Sequence, residues 1–336
     1  MPLSRLTQLW AKREATYATD PVTLGTDAVL VEEFDFDTEQ EEYVQPMDGS
    51  TLDTMRPSVV GHRIRTITIK LQATGNSVAL SAAVEPVYGR FLTACDMTAT
   101  WDATPAAEKW DYTPRAQAAA AGSVCIEGYH DGLEFQMLGC RGTWSLEMPP
   151  GKPAVYTFRL RGLYSDVVET ALPAPTYTYY VAPPIFRNSG FQPYGEAPAT
   201  PDTFGHVRET VTLDWGAITD DRWSPTGPAA SDGLAAIIHV GRQTTLRYQV
   251  EQKAANPDDW WARWQSRTQD ATSRTLSWGS AAGNRHKVAI ARHTISAPPK
   301  QIVLGNGTRG HDIAATVNGN AGDDSVTITC WQDAAP

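Results

Sequence analysis

The sequence predicts a mainly β protein built as two tandem β-sandwich units, each with a flanking α-helix and a long inter-strand loop. Three observations carry this. Apolar and polar residues alternate with period two over many short segments, as in Phe34 and Phe36 against Glu33, Asp35 and Asp37. The 26 glycines and 23 prolines punctuate those segments at the spacing many short strands need. The order strand, long loop, strand, helix, hairpin, strand, strand occurs twice, which is the signature of an internal repeat.

Residues 1–27 read as an N-terminal arm, with Leu3, Leu6, Leu9 and Trp10 spaced for one side of a short amphipathic turn. The first unit spans 28–169. Its first strand is 28–37, acidic on one face and apolar on the other, and its second places Ile67, Ile69 and Leu71 opposite Thr66, Thr68 and Lys70. Residues 38–62 between them show no periodicity, and a connection of that length is usually functional. It reads as a contact arm toward another subunit, with Tyr43, Gln45, Met47, Asp48, Leu52, Met55 and Arg56 as its candidate contact residues. Residues 74–84 form a loop. Glu85-Pro86 opens a helix with Tyr88, Phe91, Leu92 and Cys95 on its apolar side. Residues 98–122 form a Pro- and Ala-rich excursion. A hairpin turns at Asp131-Gly132, and two alternating strands follow, around Trp144, Leu146 and Met148 and around Tyr156, Phe158 and Leu160.

Residues 170–206 form a proline-stiffened linker. The second unit, 207–336, repeats the order. Val211, Leu213 and Trp215 alternate with Thr212 and Asp214, so that Asp214 takes the place of Asp37. A loop at 216–236 stands for 38–62, and Leu246, Tyr248 and Val250 stand for Ile67, Ile69 and Leu71. Asn256-Pro257-Asp258-Asp259 starts a helix. A hairpin about Ala282-Gly283-Asn284 precedes strands at 287–295, 311–317 and 325–331.

Composition excludes several classes. The net charge of −10, from 28 Lys and Arg against 38 Asp and Glu, lacks the basic clusters that grip phosphates. No run approaches the roughly 20 apolar residues of a membrane helix, and the N-terminus lacks a signal-peptide core, so synthesis and assembly in a cytosol are expected. The four cysteines form no C-x-x-C pair and read as buried free thiols. Gly305 to Gly310 spells a dinucleotide fingerprint, but a strand follows rather than a helix, so it reads as a hairpin turn. Asn318 to Asp324 lacks the closing Glu of a calcium loop. No catalytic constellation emerges from the seven histidines or the paired carboxylates, so no enzyme, cofactor or metal is expected. Trp260, Trp261 and Trp264 fall at helical spacing, fit for a core or a subunit interface.

Two stretches carry a resemblance. Lys12-Arg13-Glu14-Ala15-Thr16-Tyr17-Ala18-Thr19-Asp20-Pro21 followed by Ala28 to Val31 is one. Tyr129 to Phe135, Gly139 to Ser145 and Pro153 to Tyr164 make the other. Both resemble the tail tube (major tail) proteins of long-tailed, non-contractile bacteriophages. The resemblance covers most of the first unit and reaches the second through its order of elements. It implies tube domains whose inner sheets join into a ring, and rings that stack into the tail tube, bridged by a long loop. Two domains per chain then imply homotrimeric rings of pseudo-sixfold symmetry. Double-stranded DNA passes through the lumen without specific binding. The implied partners are further copies of the chain, a tail tip or baseplate initiator, a tape measure protein and a tail terminator, with no membrane. The implied location is the virion, after assembly in the host bacterial cytoplasm.

An acidic lumen would repel phosphates, which makes Glu33, Asp35, Asp37, Glu147 and Asp214 candidate lumen residues. Solvated outer faces are the alternative for the same acids. Two other functions stay open: another tail or secretion tube component, and a carbohydrate-binding β-sandwich protein, favoured by the 11 tryptophans.

Overall fold

The computed structural model describes residues 7–23, 25–43, 58–105, 107–177, 181–187, 210–224, 233–251, 259–304, 307 and 309–332. The first half contains β1 (Thr7–Arg13), β2 (Ala28–Val29), β3 (Glu33–Tyr43), β4 (Val59–Gln72), helix α1 (Gly89–Ala94), β5 (Met97–Asp102), β6 (Lys109–Pro114), β7 (Val124–His130), β8 (Leu133–Met148), β9 (Val155–Tyr164) and β10 (Val168–Glu169). The second contains β11 (Val211–Asp214), β12 (Ala217–Trp223), β13 (Leu234–Arg242), β14 (Thr245–Glu251), helix α2 (Asp259–Ser266), β15 (Gln269–Asp270), β16 (Arg274–Trp278), β17 (Arg285–Ile290), β18 (Arg292–Ile295), β19 (Lys300–Val303), β20 (Arg309–Asn318) and β21 (Val326–Trp331). The fold is mainly β, with sheets packed as β-sandwiches and few helices.

One large sheet runs through both halves. In the first, β3 pairs β4, β4 pairs β9 and β9 pairs β8. In the second, β11 pairs β14, and β14 pairs β20, which carries both β18 and β19 on its far side. The halves meet where β11 pairs the end of β8, with Leu213 opposite Leu146 and Asp214 opposite Ser145. A five-stranded sheet, in the order β16, β17, β21, β6, β5, also takes strands from both halves.

A single large apolar cluster lies between these layers. Trp144 and Trp215 stack in it at 5.7 Å with planes 8° apart, and Trp215 donates from its indole nitrogen to the Cys95 carbonyl at 2.7 Å. The indole therefore satisfies a carbonyl just past the end of α1 while it fills the core.

β8 is the pivot. Its pairing with β9 shifts between Leu138 and Arg141, at Gly139 with φ +62°. An extra residue in one strand bends it and raises its twist. The bend carries the first half of β8 over β3, where Phe135 stacks on Phe36 at 5.9 Å.

Several elements differ from the sequence-based expectation, each because a tertiary partner overrides a local signal. Residues 7–13 form a strand instead of an amphipathic turn. β1 pairs β7 along its whole length, with Leu9 and Ala11 entering the main core and Trp10 packing on Tyr129 behind it. Residues 98–122 hold the hairpin β5–β6, whose Trp110 and Tyr112 face Cys330 and Ile328 of β21. Most described residues of 216–236 are paired strand, β12 against β13, and the flanks of 38–62 extend β3 and β4. The helix expected from Pro86 is shorter, beginning at Gly89. The 287–295 strand splits at Ala291, β17 entering the small sheet and β18 the large one. The linker is partly docked: Phe186 is fully buried, packs on Trp278 at 5.8 Å and exchanges backbone hydrogen bonds with the 149–153 turn. His130 faces Leu133 as the turn chemistry requires, but Cys140 faces Val124 because the ladder slips by one residue between Val124 and Ile126. All four cysteines are free and buried.

Candidate functional site

The features with functional reach are a polar sheet face, two hairpin arms and the ends of the large sheet. The polar face follows from alternation. Residues directly opposite each other in an antiparallel ladder share a face. Glu33, Asp35 and Asp37 lie opposite Lys70, Thr68 and Thr66 of β4, which lie opposite Thr157, Arg159 and Arg161 of β9. Arg159 and Thr157 then face Thr143 and Ser145 of β8, Ser145 faces Asp214, and Glu147 faces Thr212. The five candidate lumen acids thus share one face of one sheet across both halves. Glu33, Asp35, Asp37 and Glu147 are exposed, and Asp214 is half-buried, accepting from the Gly216 amide at 3.1 Å.

Sequence reasoning passed over the bases on that face. Lys70 donates to Glu33 at 2.6 Å, and this hydrogen bond and charge hold its ammonium pKa above the ordinary value. Arg159, Arg161 and Arg247 lie there too, Arg247 paired with both carboxylate oxygens of Asp312. The face is a lattice of both signs, not a uniformly acidic wall. The signal was present, since Lys70, Arg159 and Arg161 occupy the polar positions of their strands.

The arms come next. The outer parts of β3 and β4 form the first, and β12 with β13 forms the second. The second kinks out of the large sheet at Gly216, with φ +61°, where a Cβ would stand 2.2 Å from the Gln243 carbonyl. It then crosses the polar face of the first half. Leu234 is buried against Ile64 and Leu163, and Arg161 pairs with both oxygens of Asp221 at 3.1 Å. Arg141 donates to the Ile237 carbonyl at 2.7 Å beneath the Tyr17 ring, and the Ile237 amide donates to the Tyr17 hydroxyl at 2.8 Å. The arms touch where the His62 ring meets Trp223 at 4.7 Å, and Arg161 of β9, which holds Asp221 of the second arm, also reaches Glu39 of the first at 3.8 Å.

Tyr43, Val59 and Val60 on the first arm are exposed, as are Ile218, Trp223 and Val240 on the second. Apolar groups held out on paired hairpins mark contact surfaces. Of the predicted arm residues, Tyr43 is described, its hydroxyl donating to Glu41 at 2.9 Å. Gln45, Met47, Asp48, Leu52, Met55 and Arg56 lie outside the described residues.

One side-chain cluster has metal-ligand composition: Asp20, Cys125 and Glu127. Glu127 is already engaged by the Thr23 hydroxyl at 2.6 Å and the Tyr129 hydroxyl at 2.9 Å. Burial, then the Glu127 charge, pushes the Cys125 thiol far above its usual range. The cluster joins residues 20–23 to the sheet: Thr23 bonds to Glu127 of β7, and Asp20 accepts from the Gln136 side chain of β8 at 3.1 Å. Among the described residues no helix is long and apolar enough to cross a membrane.

A family model described as phage tail tube protein matches residues 4–329, nearly the whole chain, and the chain belongs to that family. No curated protein matches it in sequence.

Proposed function

With that membership as premise, we propose that this chain is the tail tube protein of a long-tailed, non-contractile phage, carrying a duplicated tube domain. Three copies close into a ring of pseudo-sixfold symmetry, and rings stack into the tube through which the DNA genome leaves the virion. A structural role in the tail is what the family itself supports.

The observation that carries the finer reading is the joint between β8 and β11. Within one chain, a strand of the second half extends the large sheet of the first. Among the described residues β3 and β19 each pair on one side only, as do β2, β10 and β15 at other margins of the same sheet. Exposed edges are aggregation liabilities unless paired, and a closed ring of such sheets removes them.

In this reading 28–169 and 207–336 are the two tube domains and 170–206 connects them. The arms reach toward the adjoining ring, and the part of the polar face that the second arm leaves uncovered lines the channel. Its mixed charge offers DNA no basic track and many hydrated polar groups, so the duplex slides without being held. The implied partners are a tail tip initiator, a tape measure protein and a tail terminator, met in the cytoplasm of the host.

The test is mass measurement and electron microscopy of the purified protein, with and without the tail tip initiator. Trimeric rings or tubes with a central hole are expected. A stable monomer under both conditions refutes the reading, and a monomer that also binds glycans supports the carbohydrate-binding alternative.

A further inference from the structure

We infer that two open edges of the large sheet pair between copies in one defined register, β3 of one copy against β19 of the next, with Asp37 opposite Lys300 and Phe34 opposite Val303. The inference rests on the ring reading above and adds the contact that closes the ring.

The register comes from the two ladders. In the first half Phe36 faces Ile67, which faces Leu160. In the second Leu213 faces Leu246, which faces Ala315. Phe36 thus matches Leu213, Asp37 matches Asp214, and Leu160 matches Ala315. Counting back four residues along each strand matches Tyr156 with His311. Tyr156 faces Leu146 of β8, and His311 faces Gln301 of β19. Leu146 therefore matches Gln301, and the run Ser145–Met148 matches Lys300–Val303. Within the chain, Val211, Thr212, Leu213 and Asp214 face Met148, Glu147, Leu146 and Ser145. Transferred to the free edges, Phe34, Asp35, Phe36 and Asp37 face Val303, Ile302, Gln301 and Lys300.

Two features fit this register. The transfer sets a carboxylate opposite an ammonium on the polar face. Both Asp37 and Lys300 are exposed, and neither makes an ion pair among the described residues. On the opposite face it sets Phe34 against Val303, which at 74% is the most exposed large hydrophobic residue described. A groove of about 340 Å³ lies beside Phe34, walled by Leu9, Leu30, Val31 and His130. Val303 thereby gains contact with the Phe34 ring and with the apolar part of a groove that Thr7, Gln8 and Glu32 also line. Shifting the strands by two residues one way sets Asp35 against Lys300 but brings Val303 opposite Glu32, outside β3. Shifting them the other way sets Lys300 against Glu39, which already reaches Arg161 at 3.8 Å, and Val303 against Phe36, which is already stacked on Phe135 at 5.9 Å.

Paired cysteines test the register. Directly opposite residues of antiparallel strands have Cα atoms about 4.5–5.5 Å apart, within disulfide reach, whereas a two-residue offset puts them at about 7–8 Å, beyond it. The four native thiols are buried and leave a low background. Rings or tubes of the full chain carrying Asp37→Cys and Lys300→Cys should oxidise to covalent dimers and trimers on a non-reducing gel. The Asp35→Cys and Lys300→Cys chain should not. Charge reversal gives a second readout. Asp37→Lys or Lys300→Asp alone should raise the concentration needed for assembly about fivefold, and the double exchange should restore it. Rings that form without the 37–300 link, or with an equal 35–300 link, overturn the register and leave the ring reading standing. Failure of the unmutated chain to assemble with its initiator overturns both.

Discussion

Replacing Trp215 by alanine tests whether the two halves share one core. Trp215 is fully buried, stacks on Trp144 at 5.7 Å, donates to the Cys95 carbonyl at 2.7 Å and lies under the Arg242 guanidinium at 5.6 Å. Removing a buried indole costs about 3–5 kcal/mol for transfer and cavity. The lost ring pair and the carbonyl left without its donor bring the total to about 5 kcal/mol. For 336 residues the unfolding entropy is about 0.7 kcal/mol/K, so the midpoint should fall about 7 °C. Trp215→Phe keeps most of the stack and loses the hydrogen bond, for about 1–2 kcal/mol. The assay is thermal and urea unfolding followed by circular dichroism and tryptophan fluorescence. Both probes should move together for Trp215→Ala, because β8 and the end of α1, both from the first half, pack on this ring of the second half. The reasoning fails if Trp215→Ala splits the transition in two and leaves the first at the original midpoint. It also fails if the cost stays below about 1 kcal/mol.

Four further outcomes are expected. Burial lowers the His286 pKa to about 3 and the His293 pKa to about 4. Both rings are neutral in the folded chain while the unfolded chain protonates them near pH 6.5, so their contribution is full above pH 6.5 and is lost as pH falls to about 4 for His293 and about 3 for His286. The slope is about 1.4 kcal/mol per pH unit for each, and His286→Gln should flatten it in urea titrations at several pH values. Asp96→Asn tolerates the positive φ of that position but removes the buried charge between Arg115 at 2.6 Å and Arg242 at 3.3 Å, costing about 3 kcal/mol in the same assay. Gly142→Ala drives a Cβ to 2.0 Å from the Arg159 carbonyl and should cost about 2–3 kcal/mol or abolish soluble expression. Replacing Glu33, Asp35 and Glu147 together by lysine should leave tubes forming but slow DNA ejection from particles, most at low salt, whereas unchanged ejection kinetics would assign this face to the outside of the tube.

Much of this protein was legible before any fold was known, because strand alternation is local. The period-two pattern of 33–37 and 143–148 gave the correct inward residues, and the Asp131-Gly132 and Gly283 turns gave the correct hairpins. The matching roles of Phe36 and Leu213 reappear in equivalent ladder positions. The acids of the polar face were also legible, since each sits at a strand position whose parity fixes its side. Which strand meets which was not. Pairing is a long-range event, and period two says nothing about the neighbour. Residues 7–13 look helical by spacing alone, yet an open edge on β7 makes them a strand. Residues 98–122 look like an excursion, yet β21, more than 200 positions later, pairs with β6 inside them. Charge was misjudged for the same reason. Glu33 counts as a bare acid in the sequence, and only the register that sets Lys70 opposite it shows a neutralised pair. The sequence by itself determined which side of each strand faces the core, because that depends on the parity of a single segment. The tertiary structure alone decided how the halves share two sheets and where the free edges lie, because those depend on which distant backbones satisfy each other's hydrogen bonds.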